Sequence, residues 1–174
     1  MLKRKPVVGV MGGSTATEGT RKMAFELGAL VATRGWVLLN GGRNRGVMAA
    51  SAKGARAAGG LVIGVLPDRS ATKASPDLDV AIVTGMGDAR NAINVLSSDV
   101  IVACPGGLGT LSEVVLGLKA GKRVILLGWD LPHDAERALR LQRFRRSGQL
   151  TTTSHSAEAV EQAAAAFGDI SDKP

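Results

Sequence analysis

Residues 105–113 read PGGLGTLSE, directly after the apolar run Val100-Ile101-Val102-Ala103-Cys104 and directly before Val114-Val115-Leu116. A short unbroken apolar run bounded by proline and glycine is the pattern of a strand buried on both faces. A helix is expected to follow, so the three glycines and Thr110 occupy a strand-to-helix turn. Glycine there lets backbone N–H groups approach an oxyanion with no Cβ in the way, and the helix behind it aims the positive end of its dipole at the same spot. Gly106, Gly107 and Gly109 are expected to form that cradle, with the Thr110 hydroxyl beside it.

The same arrangement recurs along the chain. Val7 to Met11 runs into Gly12-Gly13-Ser14-Thr15, and a helix is expected from about Thr20 to Arg34, where Met23, Leu27, Leu30 and Val31 recur at helical spacing. Val37 to Leu39 leads into Asn40-Gly41-Gly42-Arg43, and the small-residue helix Val47 to Ala58 follows. Further strands are expected at 61–66, 81–83, 100–103 and 124–127, with a short seventh around 150–152. A helix is expected to open at Asp88, and Ser156 to cap a final Ala-rich helix that stops near Gly168. Apolar strands alternating with helices predict an α/β fold: a single Rossmann-like, doubly wound, mainly parallel sheet of six or seven strands with helices on both faces. In such sheets ligands bind outside the carboxyl ends of the strands. Loops at Gly12, Gly41, Gly85 and Gly106 gather at that edge, which points to a ligand bearing phosphate.

A chain of 174 residues, 45% of them hydrophobic, is long enough for one well-buried domain spanning 1–174 and too short for two ordinary ones. The net charge of +7 suggests an anionic partner, but much of it lies in ERALRLQRFRR at 136–146. There Leu139, Leu141 and Phe144 are expected to form one face of a solvated helix. With aromatics at 3% of the chain, nucleic-acid binding is not expected. His133 and His155 stand alone, so no metal site is expected. Cys104 lacks a neighbouring histidine to activate it and reads as a small core residue. Apolar runs such as Val124-Ile125-Leu126-Leu127 are too short to span a membrane, and no signal-peptide cleavage pattern follows Met1. A soluble protein is expected. The lone cysteine fits a reducing compartment without fixing the location, and the expected location is cytoplasmic. No glycine-lysine-serine or glycine-lysine-threonine triplet supports a P-loop ATPase, and GVMGGSTATEG is an imperfect dinucleotide fingerprint, so hydride transfer is not expected.

PGGLGTLSE matches the signature of the Lonely Guy superfamily, and GGRNRGVM at 41–48 is similar to its second glycine motif. Within that superfamily the compact length, the GVMGG start, ARNAINVLSSD at 89–99 and GLKAGK at 117–122 most resemble the molybdenum cofactor carrier proteins. The resemblance implies binding of a phosphorylated pterin for protection or delivery, with a molybdoenzyme as a possible acceptor. Gly106, Gly107, Gly109 and Thr110 then hold the terminal phosphate. Gly12, Gly13 and Ser14, together with Gly41, Gly42 and Arg43, flank the pterin and its metal-oxo group.

The enzymes of the superfamily imply an alternative, hydrolysis of the N-glycosidic bond of a nucleoside 5′-monophosphate. Arg90 and Glu113 match their catalytic pair. A carboxylate can stabilise an oxocarbenium-like sugar or activate water, and a guanidinium can hold phosphate or orient that carboxylate. In a carrier the same two residues form a structural ion pair. Three departures favour the carrier: Arg43 in place of a glycine, Ser112 in place of a glutamate, and Gly87-Asp88-Ala89 where the enzymes place a histidine before the arginine. A third reading is a nucleotide-sensing regulatory protein. Helix residues 111–119, with Val114, Val115 and Leu118, suggest leftover apolar surface and a homo-oligomer, a dimer or tetramer by resemblance.

Overall fold

The computed structural model describes residues 4–131 and 133–171. Seven parallel strands form one sheet: β1 (Val7–Met11), β2 (Val37–Asn40), β3 (Leu61–Leu66), β4 (Val80–Val83), β5 (Val100–Ala103), β6 (Arg123–Leu127) and β7 (Leu150–Thr153). Their spatial order is β4-β3-β2-β1-β5-β6-β7. The chain builds outward from β1 to β4, then returns to lay β5 against the other side of β1. The order therefore reverses between β1 and β5, and the crevice beyond their carboxyl ends is where such a sheet binds ligands.

The strands alternate their side chains between two cores. Val8, Val10, Leu38, Val100, Val102, Ile125 and Leu127 face one, packed with α1 (Glu18–Thr33), α2 (Gly46–Ala57) and α7 (Ser156–Ser171). Met11, Leu39, Ile101, Ala103, Val124 and Leu126 face the other, covered by α3 (Asn91–Ser97) and α4 (Leu108–Lys119). A period of two on strands with both faces covered is why the runs read as continuously apolar. Thr17 caps α1 by accepting from the Thr20 N–H, which starts that helix two residues before the expected Thr20.

Glycine fixes how closely α1 and α2 approach. A Cβ on Gly28 would stand 2.1 Å from the Ser51 carbonyl oxygen, and one on Gly54 would stand 2.0 Å from that of Phe25. The two helices thus touch backbone to backbone, which explains the small residues of α2.

Two expected helices differ. The chain does not open a helix at Asp88; it makes a 3₁₀ turn over Gly87–Arg90 and α3 begins at Asn91. The basic segment is not one helix with Leu139, Leu141 and Phe144 on a shared face. It splits into α5 (His133–Ala138) and α6 (Gln142–Arg146), because Arg140 takes a left-handed φ of 52° between them. Leu141 is driven into the core and Leu139 is left out in solvent. Arg145 is drawn inward by Glu136 and by the Thr152 hydroxyl, to which it donates at 3.0 Å. The last helix continues past Gly168 to Ser171. Among the described residues no helix is long and apolar enough to cross a membrane.

Candidate functional site

A cavity of about 230 Å³ opens at the β1/β5 reversal. Its wall combines Gly12, Gly13 and Ser14 after β1, Gly41 and Arg43 after β2, Met48 of α2, Asp88 and Arg90 of the 3₁₀ turn, Asn91, and Gly107, Gly109, Thr110 and Glu113. Past Gly13, Ser14 and Gly107 it adjoins a second space of about 470 Å³, lined also by Thr15, Thr17, Thr20 and Gly106.

Helix α4 points its amino end at this space. Gly107 is its N-cap, no side chain caps the first turn, and nothing lies within 4 Å of a Cβ built on Gly107 or Gly109. The first N–H groups of a helix have no partner within it, so this turn can donate to an oxyanion. The loop is held by its other glycines: Gly13 N–H donates to the Pro105 carbonyl at 3.1 Å, and a Cβ on Gly106 would fall 2.1 Å from the Thr110 hydroxyl.

Of the residues expected from sequence, ten line this cavity and two do not. Gly106 faces the neighbouring space. Gly42 is buried behind the wall, with its N–H donating to Asn40 Oδ1 at 2.8 Å and its carbonyl accepting from Ser75 N–H at 2.8 Å. Its φ of 75° and its approach to the Gly64 backbone shape the turn after β2. Gly85 does not line the cavity either: the loop after β4 contributes Asp88 and Arg90 instead.

Two arginine–carboxylate pairs border the cavity. Arg43 donates from Nε and Nη2 to the two oxygens of Asp68, both at 2.9 Å. This fork keeps the Asp68 carboxyl below the usual carboxylate range. Arg43, expected to flank the ring and its metal-oxo group, thus has its charge already neutralised on one side. Arg90 crosses above Gly41, where a Cβ would lie 2.7 Å from Nη1, so a larger residue there would have to displace the guanidinium. Its Nη1 stands 3.7 Å from Glu113 Oε1, and its buried Nε has no hydrogen-bond partner. Burial lowers the pKa of Arg90, against the opposing pull of Glu113. Burial likewise raises that of Glu113, although the Asn94 amide donates to Oε1 at 2.8 Å and Arg90 lies close by.

Sequence reasoning assigned no role to Asn91 or Asn94. Asn91 Nδ2 donates to the Ser112 hydroxyl at 2.9 Å, tying α3 to the first turns of α4. Ser112, the position where the enzymes carry a glutamate, is engaged in this tie and in donating to the Gly109 carbonyl at 2.7 Å. Both asparagines lie in ARNAINVLSSD, and their spacing of three places them on one helical face, the one signal available. Cys104 is buried in the core away from the cavity, its thiol pushed up to about 12 by burial. Among the described residues no group of histidines, cysteines or carboxylates could hold a metal ion.

The family model and the solved structures match nearly the whole chain, and the curated enzyme about half of it. A family model described as the SLOG cluster4 family matches residues 5–163. The solved structure of the molybdenum cofactor binding protein from the phototrophic bacterium Rippkaea orientalis matches with a TM-score of 0.85 at 47% identity, over 95% of this chain and 99% of that one. The molybdenum cofactor carrier protein from Chlamydomonas reinhardtii matches with a TM-score of 0.83 at 42% identity, with the same coverage of 95% and 99%. A cytokinin riboside 5′-monophosphate phosphoribohydrolase of Mycobacterium tuberculosis is 41% identical over 95 residues, 53% of this chain and 51% of its own length. With the PGGLGTLSE loop at its β5–α4 turn and a model match across residues 5–163, the chain belongs to the SLOG cluster4 family.

Proposed function

We propose that the protein binds molybdenum cofactor in the cleft at the β1/β5 reversal and holds it for protection and delivery to a molybdoenzyme. The observation that carries this reading is the uncapped first turn of α4 opening into the cavity beside Gly107 and Gly109. A terminal phosphate fits that turn, which supplies backbone donors and the positive end of a dipole. Gly12, Gly13, Ser14, Gly41 and Arg43 then flank the ring and its metal-oxo group, and the space past Ser14 and Gly107 gives an elongated ligand room to continue. Enclosure by these walls limits water and oxidant at the bound dithiolene, which is what a carrier must do and which requires no bond cleavage. The match to carrier structures over 95% of the chain supports the same reading.

A phosphoribohydrolase is the second reading, favoured by one observation: Arg90 and Glu113 both line the cavity, with the carboxyl of Glu113 pushed toward its protonated form. Against it, Ser112 and Arg43, which differ from the enzyme motif, are both engaged in holding loops. Val114 and Leu118, expected to leave apolar surface for a homo-oligomer, are instead buried in the core; what supports a homo-oligomer is Leu96, Leu108 and Leu116, exposed on neighbouring α3 and α4.

The test is retention of cargo. Purified protein is mixed with molybdenum cofactor, passed through a sizing column and added to a cofactor-free molybdoenzyme. The reading expects cofactor to travel with the protein and to restore the acceptor's activity; cofactor eluting free overturns it.

A further inference from the structure

Four ionisable side chains line the cavity: Arg43, Asp88, Arg90 and Glu113. Three of them have partners in the protein. Arg43 is forked onto Asp68, and Arg90 and Glu113 face each other at 3.7 Å. Asp88 is different: exposed on the 3₁₀ turn, its carboxylate accepts no hydrogen bond and joins no ion pair among the described residues, although its charge is felt by Arg43, Arg90 and Glu113.

An unpartnered carboxylate is out of place in a cavity built for phosphate. It repels the anion that the α4 turn attracts, and it weakens binding unless the ligand brings donors to meet it. A carboxylate presents two acceptor oxygens side by side and is satisfied best by two adjacent N–H groups. A 2-amino-4-oxo-pyrimidine edge has such a pair, the exocyclic amine and the neighbouring ring N–H, followed by a carbonyl. Adenine does not: beside its single amine stands a ring nitrogen whose lone pair would face the second carboxylate oxygen. Arg43 completes the pattern. It commits Nε and Nη2 to Asp68, which leaves Nη1 as a donor for the carbonyl.

We infer that Asp88 selects the ring of the ligand, accepting from the paired N–H groups of a 2-amino-4-oxo-pyrimidine edge, as found in pterins and in guanine, and disfavouring adenine. The inference rests on the phosphorylated-ring reading above and deepens it: the glycine loops hold phosphate, and Asp88 supplies the discrimination between rings that those loops lack.

The experiment titrates GMP, AMP and inorganic phosphate separately into wild-type protein, Asp88→Asn and Asp88→Glu by calorimetry, after matched thermal melts confirm folding. The expected result is GMP binding at least about tenfold tighter than AMP to the wild type, in line with one bidentate contact. In Asp88→Asn that preference falls to near unity while phosphate binds as well or better, and Asp88→Glu keeps a preference for GMP. Equal binding of the two nucleotides to the wild type, or a preference that survives in Asp88→Asn, overturns the role of Asp88 while phosphate binding still upholds the cleft. Absence of binding by phosphate and both nucleotides overturns the cleft reading, and this inference with it.

Discussion

The two arginine–carboxylate pairs beside the cavity are chemically alike and physically opposite. Arg43 and Asp68 meet in a two-pronged contact near the surface, with Lys73 3.7 Å from the same carboxylate. Arg90 and Glu113 are buried, 3.7 Å apart, with Arg90 Nε and Asn94 Oδ1 left without partners. The first pair is satisfied and serves the loop after β2. The second holds two desolvated charges that the fold only partly compensates, an arrangement suited to a site that meets a charged ligand. The contrast teaches that a residue's place on the cavity wall does not by itself make it available: Arg43 is half committed elsewhere, whereas Arg90 and Glu113 have capacity in reserve.

The largest expected effect comes from removing one member of the buried pair. Arg90→Ala leaves Glu113 enclosed without its counter-charge, at a cost of about 3–5 kcal/mol. Chemical denaturation measures it, and ligand binding should fall with it. Gly41→Ala reaches the same pair indirectly, because its Cβ would lie 2.7 Å from Arg90 Nη1. Displacing the guanidinium is expected to cost about 1–3 kcal/mol by overpacking, with a loss of ligand affinity.

A pH series separates the two pairs further. The folded-state pKa of Glu113 lies above its unfolded value near 4.5, so the folded protein holds this proton more tightly. The stability that this provides is fully present below the unfolded value and is lost as pH rises through the folded one. The stability of wild type relative to Glu113→Gln should therefore decline with rising pH above about 4.5 and then level off. A difference that grows with pH contradicts the assignment. Asp68 has the opposite sign, since its folded pKa is lowered: its contribution is present above the unfolded value and fades as pH falls through the folded one. The smallest effect is expected for Arg43→Ala. Breaking a partly exposed pair should cost little, read as a slight shift of the denaturation midpoint.

The sheet was legible because parallel strands covered on both faces must be apolar at every position, and Val7 to Met11, Val100 to Ala103 and Val124 to Leu127 carry that demand openly. The glycine loops were legible for a similar reason, since backbone must come close to backbone at Gly13 and Gly106. What stayed hidden depends on partners distant in sequence. Nothing local to Asn94 announces that it will meet Glu113, nor to Arg43 that Asp68 will claim it. The basic segment misled because Arg140 adopts a left-handed conformation that no neighbouring glycine announces. Helical spacing then assigned Leu139 and Leu141 to one face, and the chain sends them to opposite environments.

The proposed function requires that this cleft grip a phosphorylated ring without cleaving it. The most direct measurement is release of free base from purified protein incubated with AMP, with GMP and with an isopentenyladenine ribotide, beside Glu113→Gln. No base is expected from either protein above the rate in buffer, with phosphate still competing for the cleft. Base released by the wild type and abolished in Glu113→Gln would contradict the proposed function and make Arg90 and Glu113 the machinery of a phosphoribohydrolase.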